Sequence, residues 1–268
     1  MEIGNREFSL GKKTYVMGIL NVTPDSFSDG GTHNDTDSAL CHAEKLIQEG
    51  ADIIDVGGES TRPGHVQIGD EEEIYRVVPV IEGLKKEFDV PVSIDTYKSA
   101  VAEAALAAGA DLLNDVWGLK YDDKIAAAAA RYKVPVCLMH NRDNTDYNDF
   151  VKEVVLELQN SVKLAKEAGI KEEQIILDPG IGFGKTYEQN LIIMNHLEEI
   201  VRLGYPVLLG TSRKSVIGLT LDLPVDEREE GTIATSVLGA MKGCDFVRVH
   251  DVKKNVRALK MIDRIIRR

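Results

Sequence analysis

Several features that would mark a specialised class of protein are absent from this sequence. Its three cysteines, Cys41, Cys137 and Cys244, are far apart and form no CxxC pair, so they predict reduced thiols rather than a disulfide framework. No apolar run approaches the length that spans a bilayer. The first residues carry no basic segment followed by an apolar one, so no signal peptide is expected. Together these absences predict a cytoplasmic protein.

Basic charge is also scarce. The formal net charge is −12 and the pI is about 5.0, which argues against a nucleic-acid partner, because nucleic acids are bound by basic surfaces. A local basic pocket can still hold a small anionic substrate. The 268 residues are 43% hydrophobic, which is enough for a core that needs no disulfide or metal for its stability.

Short β-branched apolar runs alternate with helical patterns along the whole chain. The predicted strands are Tyr15–Leu20, Asp52–Val56, Val92–Asp95, Leu112–Val116, Val134–Met139, Ile175–Asp178, Val207–Gly210 and Phe246–His250. The predicted helices are Ser38–Glu49, Glu71–Phe88, Lys98–Ala107, Asp123–Tyr132, Asp149–Ala168, Tyr187–Leu203, Glu230–Met241 and Val252–Ile266. Strand followed by helix, repeated eight times, predicts parallel strands joined by crossover helices and buried on both faces. We therefore predict an α/β fold, a single-domain (β/α)₈ TIM barrel over residues 1–268, with an open doubly wound sheet as the alternative.

Glycine residues support one repeating architecture. Five of them end a predicted helix directly before a strand, where a left-handed conformation suits a short loop: Gly50, Gly109, Gly169, Gly204 and Gly243. Ahead of the first strand, residues Ile3–Thr14 predict an N-terminal β-hairpin with its turn at Leu10–Lys12, which would cap the bottom of the barrel.

Every predicted strand ends in polar side chains, and barrels of this kind carry their chemistry at the C-terminal ends of the strands. Asp95, Asn114 and Asp178 end apolar runs, so we expect them to point into the barrel mouth, where unpaired carboxylates would need a ligand or each other. Asp55 and Asp115 are interpreted instead as structural, since aspartate often caps the next helix.

The end of the last strand predicts an anion site. Arg248 and His250 occupy alternate positions, so they face the same side, and the helix that begins near Val252 directs its N-terminus toward them. With Asn21 facing them from the first strand, these groups suit a phosphate in the region of a barrel where phosphates are frequently held. An internal pair between Arg248 and an aspartate is the alternative.

Three loops at the strand ends are unusual. Residues 21–31 and 59–64 are rich in hydroxyl, Asp and Gly residues and are interpreted as mobile lids, with ordinary surface turns as the alternative. Residues 178–186 resemble a Walker A loop superficially, but Pro179 stands where its first glycine belongs, and a GxGxxG pattern is missing. Neither nucleotide motif is therefore assigned.

Eight blocks of the sequence resemble the dihydropteroate synthase family. They occur in the family's order within residues 15–251 and are NVTPDSFSDGG, DVGGESTRPG, SIDT, LLNDV, MHNR, ILDPGIGFGKT, LGTSRKS and VRVHDV. The resemblance implies a transferase of folate biosynthesis that joins 6-hydroxymethyl-7,8-dihydropterin pyrophosphate to p-aminobenzoate and releases pyrophosphate. It also implies a homodimer, formed through the later helices.

The resemblance implies a pterin site at the barrel mouth. Asp178 would accept the donors of the pterin edge, and Lys214 would reach the ring carbonyl and the N5 side. Met139 and Phe183 would pack on the ring, although such residues also serve as plain barrel packing. The whole implied set is Asp95, Asn114, Met139, Asp178, Phe183 and Lys214.

The resemblance implies two further subsites. Asn21, Arg248 and His250 would hold the pyrophosphate, with Mg²⁺ bridging the leaving group and Asn21 as its protein ligand. Asp25 would stabilise the cation left at the pterin methylene. The p-aminobenzoate site would be shaped by Thr61, Arg62, Pro63 and Ser215, the last at a helix start that suits a carboxylate. The catalytic residues so implied are Asp25, Arg62 and Lys214.

Three other functions are weighed against this one. A methyltetrahydrofolate-dependent methyltransferase that acts with a cobalamin protein would share Asp95, Asn114 and Asp178, but not the first two loops or the SRKS block. A non-catalytic pterin or folate binder would need no pyrophosphate pocket. A phosphosugar aldolase or isomerase would rest on fold analogy alone. The role of His140 stays open.

Overall fold

The computed structural model describes residues 1–23, 32–59 and 67–267, with only the backbone described for residues 32–35. Two short antiparallel strands come first, β1 (Glu2–Ile3) and β2 (Arg6–Glu7). Within the described ranges, eight parallel strands follow: β3 (Tyr15–Asn21), β4 (Ile53–Gly57), β5 (Val92–Asp95), β6 (Leu112–Asp115), β7 (Val136–Met139), β8 (Ile175–Asp178), β9 (Leu208–Leu209) and β10 (Phe246–Val249).

The eight strands form a barrel. Each strand from β3 to β7 pairs with its successor, and β3 also pairs with β10, which pairs with β9. A parallel bridge between Leu177 of β8 and Val207, next to β9, joins the two ends of the sheet. The predicted TIM barrel is confirmed, and the open doubly wound sheet is wrong, because an open sheet has no pairing between its edge strands.

Helices cover the outside of the barrel: α1 (Thr32–Glu49), α2 (Asp70–Glu87), α3 (Ser99–Ala107), α4 (Ile125–Tyr132), α5 (Phe150–Glu167), α6 (Tyr187–Asn195), α7 (Leu197–Val201), α8 (Ser215–Leu221), α9 (Glu229–Met241) and α10 (Val252–Ile266). The predicted helix Tyr187–Leu203 is divided at His196, whose φ of −112° and ψ of 24° leave the helical range. None of the helices in the described ranges is long and apolar enough to cross a membrane.

Alternation along each strand separates two cores. Ile54, for example, faces the large core between the sheet and the helices, whereas Ile53 faces the interior of the barrel. The interior core lies at the bottom and consists of Ile3, Phe8, Tyr15, Met17, Ile53, Leu112, Cys137, Ile176, Leu208 and Phe246.

The N-terminal hairpin closes the bottom of the barrel, as predicted, because Ile3 and Phe8 are buried in the interior core. Its turn is at Gly4, with φ of +60°, rather than at Leu10–Lys12. Strands of two residues are too short to show an alternating pattern, so the sequence-based prediction put the turn after the second strand instead of between the two strands. The five helix-end glycines all have positive φ, between 84° and 108°, as expected for short helix-to-strand loops.

Candidate active site

The polar ring at the barrel mouth follows from the two-residue period of the strands. Inward positions of the bottom core, such as Ile53, Leu112 and Ile176, are followed two residues later by the inward positions of the mouth. At that level the strands carry Asp55, Asp95, Asn114, Met139, Asp178, Gly210 and Arg248. The same alternation that fills the bottom with apolar side chains therefore gathers three carboxylates and a guanidinium at the top.

Arg248 pairs with two of these carboxylates. Its Nε donates to Asp55 Oδ2 at 2.5 Å and its Nη2 donates to Asp95 Oδ2 at 2.6 Å. Asn114 Nδ2 donates to the same Asp55 oxygen at 3.3 Å. The internal Arg–Asp pair, left open by the sequence, is thus present. Asp55 is fully buried in this ring, and its interpretation as a helix cap is wrong.

Asp115, the other aspartate interpreted as structural, faces away from the mouth. Its carboxylate accepts the backbone N–H groups of Trp117 at 2.8 Å and Leu119 at 2.6 Å. These bonds shape the turn after β6, which is a structural role. Burial raises the pKa of Asp115 to about 6, against the two backbone donors.

Two oxygens of the ring remain unsatisfied. Asp55 Oδ1 and Asp95 Oδ1 are buried without a hydrogen-bond partner in the part of the chain that the structure describes. Burial raises the pKa of Asp95 to about 7, Arg248 opposes this rise, and the nearby Asp55 carboxylate adds to it. Buried acceptors of this kind are ordinarily satisfied, so the ring is suited to a ligand that brings N–H donors or positive charge.

Across the mouth, Asp178 faces Lys214. Asp178 Oδ1 accepts the N–H of Gly180 at 2.7 Å, and Lys214 Nζ donates to the carbonyl of Ile181 at 2.6 Å. Burial lowers the pKa of Lys214 to about 8. Burial also raises the pKa of Asp178, and the nearby Lys214 ammonium opposes that rise. A Cβ atom on Gly210 would lie 3.7 Å from Asp178 Oδ2 and 3.8 Å from Lys214 Nζ, so glycine keeps the space between them open.

An apolar wall lines one side of the mouth. Met139 is buried in a small cluster with Tyr97 and Val116, against which Trp117 and Phe183 pack. The Phe183 ring centroid lies 4.8 Å from Lys214 Nζ. Of this wall, the sequence singled out Met139 and Phe183. Tyr97 and Trp117 were missed because both follow their strands as isolated aromatics, with no pattern that separates them from loop residues.

The predicted pyrophosphate residues lie in different settings. Arg248 is within the ring, whereas His250 stands at the rim before α10, where its Nδ1 is 2.9 Å from Ser212 Oγ and its backbone N–H donates to the same oxygen at 3.1 Å. Asn21 ends β3 beside the ring, since a Cβ atom on Gly57 would lie 3.6 Å from Asn21 Oδ1 and 3.8 Å from Asp95 Oδ2.

The predicted p-aminobenzoate residues are described only in part. Ser215 is exposed at the first position of α8, directly after Lys214. Thr61, Arg62 and Pro63, together with the candidate cation-stabilising Asp25, lie outside the described residues.

Two buried lysine clusters were missed by the sequence. Lys98 donates to Glu59 at 2.6 Å, to Glu73 at 2.8 Å and to the carbonyl of Ile68 at 2.8 Å. Lys185 is in a similar position next to His140, behind the glycine-rich loop that follows β8. Each lysine stands beside a loop or a helix start in the sequence, where an exposed side chain is the ordinary expectation.

The strand ends carry hydrogen-bond acceptors, a lysine stands opposite them, and an apolar wall lines one side of the mouth. Such a site defines a barrel enzyme that binds a flat heterocycle rich in N–H donors. Residues 17–250 match the family model described as pterin binding enzyme. The chain is 63% identical to the dihydropteroate synthase of Clostridium beijerinckii, over 100% of both chains. It is 58% identical to that of Bacillus subtilis, over 95% of this chain and 90% of the relative.

Solved structures agree. A crystal structure of the Clostridium difficile dihydropteroate synthase in the presence of pteroic acid matches with a TM-score of 0.96 and 54% identity, over 98% of this chain and 100% of that chain. The Xanthomonas albilineans enzyme in complex with 7,8-dihydropteroate matches with a TM-score of 0.88 and 42% identity, over 95% and 94%. The chain belongs to the dihydropteroate synthase family, and it is a transferase of folate biosynthesis.

Proposed function

We propose that this chain condenses 6-hydroxymethyl-7,8-dihydropterin pyrophosphate with p-aminobenzoate, giving 7,8-dihydropteroate and pyrophosphate. The observation that carries the proposal is the half-satisfied ring of buried acceptors opposite Lys214 at the barrel mouth. A pterin edge presents an exocyclic amine and ring N–H donors beside a carbonyl, which is the complement of such a ring. The 7,8-dihydropteroate-bound relative from Xanthomonas albilineans supports it.

In this proposal three strands recognise the pterin edge. Asp178, held by the Gly180 N–H, accepts the ring donors, and Asp95 and Asn114 complete the edge. Lys214 donates to the ring carbonyl and the N5 side, while Met139 and Phe183 pack on the flat faces. A site that satisfies several polar atoms of its substrate discriminates strongly against analogues that lack them, because its own buried groups would then stay unpaired.

The pyrophosphate would lie between β3 and β10. His250 and Arg248 supply donors there, and Arg248 can do so while paired, since a guanidinium has five N–H donors and two of them bind Asp55 and Asp95. The N-terminus of α10, which begins at Val252, adds positive potential. Departure of pyrophosphate in an SN1-like step leaves a cation at the pterin methylene, where Asp25 would stabilise it.

Mg²⁺ fits this corner of the site. The side-chain oxygen of Asn21 is a hard donor of the kind that Mg²⁺ prefers, and it lies beside Asp95, whose Oδ1 is buried without a hydrogen-bond partner among the described residues. Asn21 would hold the ion, and bound Mg²⁺ would neutralise charge on the departing pyrophosphate. The remaining ligands of such an ion commonly come from substrate oxygens and water.

The p-aminobenzoate would bind between the loop of residues 59–64 and the start of α8. Thr61, Arg62 and Pro63 would shape its subsite, and Ser215 with its backbone N–H at the start of α8 would bind the carboxylate. The aromatic amine attacks as a neutral nucleophile, so the reaction needs no strong general base. Arg62 and Lys214 are the proposed catalytic residues besides Asp25, since both would touch a substrate.

We also propose one domain over residues 1–268, a homodimer and a cytoplasmic location.

Pyrophosphate release tests the proposal. The purified protein is expected to release pyrophosphate only when the pterin pyrophosphate, p-aminobenzoate and Mg²⁺ are all present, and to form 7,8-dihydropteroate in equal amount. Release without p-aminobenzoate would indicate a hydrolase, and absence of release with all three would overturn the synthase assignment.

Two substitutions separate the subsites. Asp178→Asn should weaken pterin binding by about tenfold or more, because a buried charged acceptor is lost. Arg62→Ala should leave pterin binding nearly unchanged and raise the KM for p-aminobenzoate. Asp123→Asn, at an exposed position in the turn before α4, is the matched control. Equal loss of pterin binding in the Asp178 and Arg62 variants would contradict the division into subsites.

A further inference from the structure

Lys185 is a buried lysine that directly contacts the loop after β8. The residue is only 9% exposed. Its Nζ is 2.7 Å from His140 Nδ1, 2.9 Å from the Gly180 carbonyl and 3.0 Å from the Phe183 carbonyl. Burial lowers the pKa of Lys185 to about 7, and the Asp178 carboxylate opposes this fall. In its ammonium form the group has three N–H donors, one for each of these three neighbours. Lys185 is therefore held in one place, with each donor used.

His140 faces the ammonium as a neutral acceptor. Burial lowers the pKa of His140 to about 4, so the ring is uncharged at neutral pH. Since Nδ1 faces the three-donor ammonium, the ring proton is assigned to Nε2, which lies 3.1 Å from Glu157 Oε2. A chain of contacts thus runs from Glu157 on α5 through His140 to Lys185.

The loop that Lys185 contacts, residues 180–183, also contacts the proposed pterin residues. Gly180 accepts from Lys185 through its carbonyl and donates through its N–H to Asp178 Oδ1. Phe183 accepts from Lys185, and its ring lies against Lys214 Nζ. The Ile181 carbonyl, between the two, accepts from Lys214. Lys185 therefore holds the carbonyls of Gly180 and Phe183, which stand on either side of the Ile181 carbonyl that Lys214 contacts.

The loop depends on an outside support of this kind. Gly180, Gly182 and Gly184 have φ of 69°, 84° and 53°, in the left-handed region where glycine has the greatest conformational freedom. Glycines that can adopt this shape can adopt others at little cost. The hydrogen bonds of Lys185 to the Gly180 and Phe183 carbonyls, together with that of the Gly182 N–H to Asn190 Oδ1, therefore help to select it.

We propose that Lys185 is a positioning residue of the pterin site, acting through residues 180–183 on Asp178, Phe183 and Lys214. The inference rests on the proposed function, because its consequence is pterin affinity. Neutral His140 contributes to this positioning, because its Nδ1 accepts from the ammonium and does not compete for the loop carbonyls.

Lys185→Met removes the ammonium and keeps the length of the side chain. The expected result is a pterin Kd about tenfold or more weaker, since charged hydrogen bonds that fix the loop are lost, with an unchanged KM for p-aminobenzoate at saturating pterin. Lys120→Met is the matched control, because Lys120 also contacts Glu157, at 3.8 Å, but donates to Asn141 rather than to the loop. Its pterin Kd should stay within about twofold of the wild type.

A pair of variants at His140 keeps the proposal testable if Lys185→Met does not fold. His140→Asn retains an acceptor that can face Lys185, whereas His140→Leu does not. The proposal expects pterin affinity near the wild type in the first and a loss in the second. Equal affinity in both would overturn it, as would equal losses for pterin and p-aminobenzoate in any of these variants, which indicate a general structural role.

The wild type separates the two levels of failure. If the wild type does not bind the pterin pyrophosphate in a calorimetric titration, the proposed function fails. If the wild type binds it and folded Lys185→Met binds it equally well, the positioning role alone fails. Trp117, the single tryptophan of the chain, packs against the cluster of Tyr97, Val116 and Met139 that Phe183 also contacts. Its emission should therefore change in Lys185→Met but not in Lys120→Met.

Discussion

Arg248 and the two aspartates that it pairs with determine the electrostatics of the barrel mouth. One guanidinium neutralises only one of the two carboxylate charges, and each carboxylate keeps one buried oxygen without a hydrogen-bond partner among the described residues. Burying charge without full compensation costs free energy. The mouth is therefore less stable without its substrate than an apolar mouth would be, and donors of a bound pterin would relieve that cost.

Asp95 should make the stability of the ligand-free protein depend on pH. Its pKa is about 7 in the folded chain and 3.8 in the unfolded chain, so between these values the folded state binds more protons and stability falls as pH rises. Asp95→Asn removes this titration. The free energy of unfolding of Asp95→Asn minus that of the wild type should therefore increase from pH 4 to pH 7, measured by urea unfolding.

His140 titrates in the same range with the opposite sign. Its pKa falls from 6.5 to about 4 on folding, so its contribution to stability is lost as pH decreases below 6.5. Both proteins contain His140, and its effect cancels in the difference. Asp123→Asn provides the baseline for an exposed aspartate. A difference between Asp95→Asn and the wild type that does not change with pH would contradict the prediction.

Residues of the mouth could be predicted where the strand end was located correctly. Asp95, Asn114 and Asp178 were expected at the mouth because each ends an apolar run, and all three lie there. Asp55 was misassigned, although Ile53, Asp55 and Gly57 alternate along one strand. Lys185 and Lys98 could not be found, because their burial depends on contacts with residues far away in the sequence.

At the scale of elements, the glycines of the loop after β8 allow it to pack closely against the segment after β7. A Cβ atom on Gly180 would lie 1.9 Å from the His140 carbonyl oxygen, and one on Gly184 would lie 2.8 Å from the Arg142 carbonyl oxygen. Both obstacles are backbone atoms, which cannot rotate away. The loop therefore packs against the segment after β7 closely enough to exclude any side chain.

Gly180→Ala should be far more damaging than Gly169→Ala. Gly169 also has a positive φ, of 91°, but a Cβ atom there meets nothing within 4 Å, so its replacement costs about 1 kcal/mol for the left-handed conformation alone. Gly180→Ala adds the clash with the His140 carbonyl, and we expect a total of about 3 kcal/mol or more. Urea unfolding measures both.

The same pair of variants tests the link to the site. Gly180→Ala should weaken pterin binding, because the Gly180 N–H holds Asp178, whereas Gly169→Ala should leave pterin binding unchanged. Similar losses of stability in the two variants would mean that the approach to His140 relaxes easily.

Elements with a clear apolar pattern were predicted best, although α1 begins at Thr32 and not at the predicted Ser38. The long helices α2, α5 and α10 were placed within a residue or two, since each contains several turns of periodic pattern. The periodic pattern did not predict the seven-residue α8, of which only the start at Ser215 was implied by the resemblance. β9 is Leu208–Leu209 rather than the predicted Val207–Gly210. Such short elements are set by tertiary contacts, which a local pattern does not contain.

At the scale of the whole molecule, exposed apolar side chains concentrate on the later helices. Four neighbouring helices, α6, α8, α9 and α10, carry Leu191, Ile192, Leu219, Leu221, Met241, Met261, Ile265 and Ile266, each at least 39% exposed. α8 contacts both α6 and α9, and α9 packs on α10. A concentration of this kind is typical of a surface that meets another protein chain, including a second copy of the same chain.

This surface should form the contact of the proposed homodimer. Leu219→Glu and Met261→Glu place a charge at side chains that are 67% and 64% exposed on α8 and α10. If they lie in a dimer contact, an unpaired buried carboxylate should weaken dimerisation by about 100-fold or more, measured by sedimentation equilibrium. Leu156→Glu, 57% exposed on α5, is the matched control and should leave dimerisation unchanged. A monomeric wild type, or equal dimerisation in all three variants, would contradict the prediction.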